Sequence, residues 1–166
     1  MKSKKIPILF IACFISPFLI AAIVLRLGWL PDHTVNKGQL VNKETHIQNW
    51  QNPNGYLWTM VVVSQSGCDD FCKNQLESVK NVQLALGKKS EHVGVMLLSR
   101  NIKTDLAIPI QVVNQDDLIS DEIYLVDHMG LVVLSYPFSA QENLNKPVFK
   151  GMLSDIKKLL NYARSS

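Results

Sequence analysis

Between Lys5 and Arg26 the chain carries twenty consecutive uncharged and largely apolar residues, Ile6–Leu25. No other feature constrains the fold as much, because a small globular core has little room for a charge-free segment of that length. As a helix rising about 1.5 Å per residue, the run spans roughly 30 Å, the thickness of a bilayer's hydrocarbon core. Pro7 falls in its first turn, where a missing N–H matters little. Pro17 is internal, a position that membrane helices tolerate. The competing reading is a cleaved signal peptide, whose apolar region covers about 7–15 residues and ends at a small-x-small site. Here Ala21-Ala22 is followed by Ile23, Val24 and Leu25, so the run continues past the best cleavage candidate. An uncleaved anchor is therefore expected over residues 1–26.

Lys2, Lys4 and Lys5 should stay cytoplasmic by the positive-inside bias, with Trp29 at the outer interface. That orientation predicts a single-pass protein of a bacterial inner membrane with its C-terminal part in the periplasm, a disulfide-permissive compartment. Cys13 lies inside the span and reads as small apolar filler. The charge balance fits an anchor too. The chain has 17 Lys and Arg against 14 Asp and Glu, and three of the positive charges are those N-terminal lysines. The remainder is neutral, which argues against nucleic-acid binding, since that needs a surplus of cations on one face. Three cysteines are too few for a disulfide-dense mini-domain or a four-ligand zinc site.

Residues 27–54 are polar and show no sustained period, so they read as a tether with a short strand or hairpin near Gln39–Val41. Residues 55–166 are enough to bury one sizeable core. Tyr56–Val63 is β-branched and almost wholly apolar, as expected of a strand buried on both faces. From Asp69 to Leu86 the apolar residues Cys72, Leu76, Val79, Val82 and Leu86 keep a helical period, closed by Gly87. Val93–Leu98 is a second buried strand. Ile123–Val126 and Leu131–Leu134 form a hairpin about Asp127-His128-Met129-Gly130. A final amphipathic helix is expected from Pro147 through Ala163. The order β-α-β, long connection, β-β-α is the thioredoxin-like α/β arrangement, with right-handed crossover and helices expected on both sides of the sheet.

Cys68-Asp69-Asp70-Phe71-Cys72 stands where the first strand of this pattern gives way to its helix. That junction exposes a thiol on a tight turn and aims helix N–H groups at it. Cys72 shares a helical face with Leu76 and Val79, so it should be buried, while Cys68, after Gly67, should be reachable. One sulfur can then attack and the other resolve. Asp69 and Asp70 disfavour a thiolate nearby, which points to a reductant rather than a strong oxidant. An inert structural disulfide is the plainer alternative. The same two thiolates also suit Cu(I), for which an imidazole would add a third ligand. His92 and His128 are expected at the sheet end opposite the cysteines, and His33 and His46 lie in the tether. Oxygen donors at the site's rim would have to come from loops holding Asp105, Asp116, Asp117 and Asp121.

Anchor, CxxxC and element order together resemble the Sco (SenC-like) family of membrane-tethered, thioredoxin-fold proteins of cytochrome c oxidase assembly. Its motif reads C-P-D-x-C; Cys68, Asp70 and Cys72 match it and Asp69 replaces the proline. Tyr124, Leu125 and Gly130 fit the family's strand and turn glycine. The place of the family's copper-binding histidine is taken by Ile119, and the cis-proline that thioredoxins carry before this strand is absent. Cys68–Gly87 and Ile123–Gly130 resemble the small membrane proteins that accompany cytochrome oxidase genes in proteobacteria. The resemblance implies thiol-disulfide exchange through Cys68 and Cys72, with an oxidase subunit or an assembly factor as partner and its copper-ligand cysteines as target. A Cu(I) carrier with both thiolates as ligands and a non-catalytic scaffold with structural cysteines remain as alternatives.

Overall fold

The computed structural model describes residues 5–26, 36–52, 54–65, 67–100, 108–112, 116–120 and 122–163, with the side chains of 5–9, 25 and 42 outside that description. The chain divides into two compact units, Met1–Val35 and Asn36–Ser166. The first contains helix α1, Lys5–Arg26. Its apolar side chains from Phe10 to Ile23 stand exposed, Phe18 at 77%. Among the described residues no helix is long and apolar enough to cross a membrane. The structure therefore does not establish the expected span over Ile6–Leu25. Several of the side chains that complete this run, together with Lys2, Lys4, Trp29 and His33, lie outside the described residues.

The second unit is a six-stranded sheet in the order β1-β6-β5-β2-β3-β4. Its strands are β1 (Gln39–His46), β2 (Trp58–Ser64), β3 (Val93–Ser99), β4 (Ile110–Val112), β5 (Glu122–Asp127) and β6 (Leu131–Pro137). Helix α2 (Asp70–Ala85) crosses from β2 to β3, which pair in parallel from Trp58↔Val93 to Ser64↔Ser99. β5 pairs antiparallel with β2 and forms the expected hairpin with β6. The expected strand near Gln39–Val41 is longer than the sequence pattern suggested and pairs with β6 at the sheet edge, so residues from Asn36 on belong to the compact unit.

Strand β2 is buried on both faces, as its composition requires. Met60 and Val62 point into a core shared with Leu76, Val79, Met152 and Ile156 of the helices. Val61 and Val63 point the other way, into a cluster closed by Ile47, Leu118 and the partly buried Trp50. Full burial of each such side chain contributes about 1.5–3 kcal/mol. Among the described residues, then, α2 and α3 (Glu142–Ala163) pack on one face only, and chain segments rather than a helix cover the other. This corrects the expectation of helices on both sides.

Helix α3 also begins earlier than expected, at Glu142, which places Pro147 inside it. Its start is held by Asn145, whose side chain accepts from Ser139 N (2.9 Å) and donates to Ser139 O (2.8 Å). These two bonds substitute for a proline-led first turn.

Helix α3 also carries a fully buried carboxylate. Asp155, with no solvent exposure, accepts hydrogen bonds from Lys37 N (2.6 Å), Gly38 N (2.9 Å) and the Tyr136 hydroxyl (3.1 Å), and Lys158 Nζ lies 3.9 Å from its other oxygen. Gly38 sits so close to the Tyr136 ring that a Cβ would come within 2.6 Å of it. Burial, reinforced by the Asp155 charge, raises the Tyr136 phenol well above its ordinary range. Charge-assisted bonds of this kind leave costly orphans when one partner is removed. Asp155→Ala is expected to destabilise the domain by about 3 kcal/mol or more and Tyr136→Phe by about 1–2 kcal/mol, as read from urea unfolding midpoints of the two variants.

Candidate functional site

The sheet delivers Ser64 to the edge of the fold, and the chain turns there into α2. Gly67 makes the turn with φ +106°, a conformation that disfavours any side chain. Its carbonyl accepts from Ser64 Oγ (2.6 Å) and Asp69 N (3.1 Å). Cys68 follows it immediately and is joined to Cys72 in a disulfide, with Cα atoms 5.1 Å apart. Cys68 is half-buried, whereas Cys72 is 3% exposed and packs with Leu76 and Val79. The asymmetry expected of the pair is present.

The two acids of the motif are differently occupied. Asp69 is the N-cap of α2 and accepts from Cys72 N at 2.9 Å. One helix N–H that could face a Cys68 thiolate is therefore bonded to a carboxylate. Asp70 is exposed and pairs with Lys73 at 3.1 Å. Of the other rim acids, Asp116 pairs with Arg100 and Asp117 lies 3.7 Å from Lys43, while Asp105 and Asp121 lie outside the described residues.

The described histidines, His46, His92 and His128, lie away from the sulfurs. His92 precedes β3 and His128 occupies the β5–β6 turn, both beside Trp58, the far end of β2. Six residues along a strand separate that end from Ser64, about 20 Å. His46 ends β1 opposite Leu131, at the same far end. Ile119, which the Sco resemblance sets at the place of a copper-binding histidine, is exposed, and its N–H donates to the Tyr124 hydroxyl at 3.0 Å. Among the described residues no group of three or more His, Cys, Asp or Glu is placed to hold a metal ion. An aliphatic side chain at 119 offers copper no third donor.

Beside the disulfide lies a cavity of about 470 Å³ whose wall includes Ser64, Gly67, Cys72, Gln75 and Ser120. Phe71 and Phe138, in edge contact with centroids 5.1 Å apart, separate it from a cleft of about 850 Å³ between α2 and α3. Gln75, wholly buried, reaches across to donate from Nε2 to Ser120 O (3.0 Å). Neither the Asp69 cap nor Gln75 figures in the sequence reading. The signals were an Asp directly before a helical apolar period and a polar residue three positions after Cys72, on the buried stripe.

A fold with a dithiol at this junction defines a thioredoxin-like domain. The chain belongs to the family described as transmembrane-like, thioredoxin-like, C-terminal domain, whose pattern covers residues 58–163. No curated protein matches it in sequence. Among solved structures it shows distant similarity to copper-bound ScoI of Bradyrhizobium japonicum, at 17% identity and a TM-score of 0.42, over 61% of this chain and 83% of that one. BsSco, a member of the Sco family of cytochrome c oxidase assembly proteins, matches at 13% identity and a TM-score of 0.42, over 77% and 97%. The thioredoxin domain of a thiol-disulfide oxidoreductase from Bacteroides vulgatus matches at 15% and 0.38, over 69% and 99%.

The Tyr124 hydroxyl accepts from Ile119 N at the rim of this site, and the burial of the phenol makes the rim pH-dependent. Burial, with a smaller push from Glu122, raises the Tyr124 phenol to about 12 despite the Ile119 N–H that favours its ionised form. Because the folded value exceeds the unfolded one of about 10, the neutral phenol contributes stability that is complete below pH 10. It is lost as pH rises to about 12. The stability difference between wild type and Tyr124→Phe should hold constant from pH 7 to 9.5 and then shrink by about 1.4 kcal/mol per pH unit, as measured by urea unfolding at each pH.

Proposed function

We propose that this protein is a membrane-anchored thiol-disulfide reductant that assists assembly of the copper site of cytochrome c oxidase. The observation that carries the redox part is the disulfide at the β2–α2 turn, with one sulfur partly accessible, the other buried, and a cavity alongside. In the proposed reaction the Cys68 thiolate attacks one sulfur of a target disulfide, forming a mixed disulfide and releasing one target thiolate. The Cys72 thiol loses its proton and attacks Cys68 Sγ, which re-forms the Cys68–Cys72 disulfide and releases the second target thiolate. The two protons given up by the cysteines finish on the target's thiols, so two electrons pass to the target. Asp69 supports a reducing role, because its carboxylate already holds the Cys72 N–H and adds negative charge beside the attacking sulfur.

The choice of target rests on the Sco resemblance of Cys68, Asp70, Cys72, Tyr124, Leu125 and Gly130, and the copper-ligand cysteines of an oxidase subunit are the disulfide proposed. Anchoring in the bacterial inner membrane, with the domain periplasmic, rests on the uncharged run Ile6–Leu25 and its flanking lysines. The exposed apolar face of α1 supports it as well.

Two outcomes are expected. The reduced full chain should reduce a disulfide peptide carrying the oxidase copper-ligand cysteines. Cys68→Ser should lower that rate at least a hundredfold, and Cys72→Ser should accumulate the mixed disulfide on non-reducing gels. Normal oxidase assembly in a strain carrying both substitutions would overturn the reading and leave a scaffold with structural cysteines. Separately, the full chain should stay with membranes through alkaline carbonate extraction and release its C-terminal domain to protease only from the periplasmic side. Recovery in the carbonate-soluble fraction would remove the anchor.

A further inference from the structure

Gln75 is out of character with its position. It has no solvent exposure, lies on the stripe of α2 that also carries Cys72 and Val79, and forms part of the wall of the cavity beside the disulfide. One end of its amide is accounted for. The Ser120 carbonyl 3.0 Å away can only accept, so the group facing it is the NH2. The other end is then the carbonyl oxygen, and Oε1 has no hydrogen-bond partner among the described residues. A buried acceptor left without a donor is unfavourable and calls for an explanation.

Cys72 lines the same cavity, and its sulfur, bonded in the disulfide, carries no proton to donate. Residues three apart on a helix are neighbours, and helical side chains lean toward the N-terminus, so Gln75 leans back over the turn that holds Cys72. Opening the disulfide with a dithiol such as dithiothreitol adds two electrons and two protons, one proton to each sulfur. Cys72 Sγ then becomes an S–H donor within a walled cavity.

We propose that Gln75 is a positioning residue for the resolving thiol. Its Oε1 accepts the Cys72 S–H in the reduced protein, and its Nε2, tied to Ser120, fixes the amide so that this acceptor is already in place. The bond exists in the dithiol and not in the disulfide, so it shifts the redox equilibrium toward the reduced form. It opposes the reducing bias of Asp69 and sets the poise of the pair between the two. The proposal rests on the exchange reading of Cys68 and Cys72.

The test is the reduction potential of the full chain, equilibrated with dithiothreitol, for wild type, Gln75→Met and Gln75→Leu. Methionine keeps the length of the side chain and removes the acceptor. The equilibrium constant for reduction should fall about tenfold, a midpoint about 30 mV more negative. The Gln75→Leu variant also removes the acceptor and should move the midpoint in the same direction. It also keeps the comparison open should the methionine variant not fold.

A residue that merely supports the fold would destabilise oxidised and reduced protein alike and leave the midpoint unmoved. The infrared S–H band of Cys72, isolated in a Cys13→Ser, Cys68→Ser background, should lie at lower frequency when Gln75 is present than in the Gln75→Met variant. An unchanged midpoint and an unchanged band would overturn the role of Gln75 while exchange persists. Failure of the wild type to reduce the target peptide would instead remove the exchange reading, with the Gln75 shift still measurable.

Discussion

Strand β2 lies between β3 and β5 with apolar side chains on both faces, and the rest of the domain is arranged around that constraint. A strand without a polar side must sit in the interior of a sheet and be covered above and below. Parallel pairing with β3 then requires a crossover, which α2 supplies, and antiparallel pairing with β5 brings in the β5–β6 hairpin. The same constraint fixes where chemistry can occur. Once Trp58–Ser64 is locked in the interior, the next residues have to emerge at one end of the sheet, and those residues are Gly67, Cys68 and the first turn of α2.

At that turn the backbone and the side chains make opposing demands. A helix N-terminus favours an anion nearby, and the cysteine that precedes it is the natural beneficiary. Asp69 reaches the position first, as the residue whose carboxylate bonds Cys72 N. Stability of the helix start and stabilisation of a thiolate therefore draw on the same N–H groups, and in this chain the helix start has the stronger claim. A proline at 69 would carry no acceptor to compete in this way.

Much of the fold is legible in the residues because burial leaves a periodic trace. The two-faced burial of Tyr56–Val63, the stripe Cys72–Val79–Val82 and the turn at Asp127–Gly130 all translate directly into β2, α2 and the hairpin. Other elements lack such a trace. β4 is three residues in a long connection, Ile110–Val112, and is defined by its partner β3 rather than by its own composition. The start of α3 misleads because Pro147 marks a first turn on its own, whereas the first turn is held five residues earlier by Asn145 and Ser139. The side of the sheet on which α3 packs depends on distant partners such as Met60 and Val62 and on nothing local. At the site, the cysteine pair and its asymmetry follow from spacing alone. The engagement of Gln75 with Ser120 does not, since it joins residues 45 positions apart.

The carboxylate of Asp155 holds the backbone of Lys37 and Gly38 against α3 just ahead of β1. Tension arriving along the chain from upstream would meet this clasp before it reached any strand, and would be handed to a helix rather than peeling β1 from the sheet edge. The domain thus has a strain relief ahead of its first strand, one that would load α3 before the sheet.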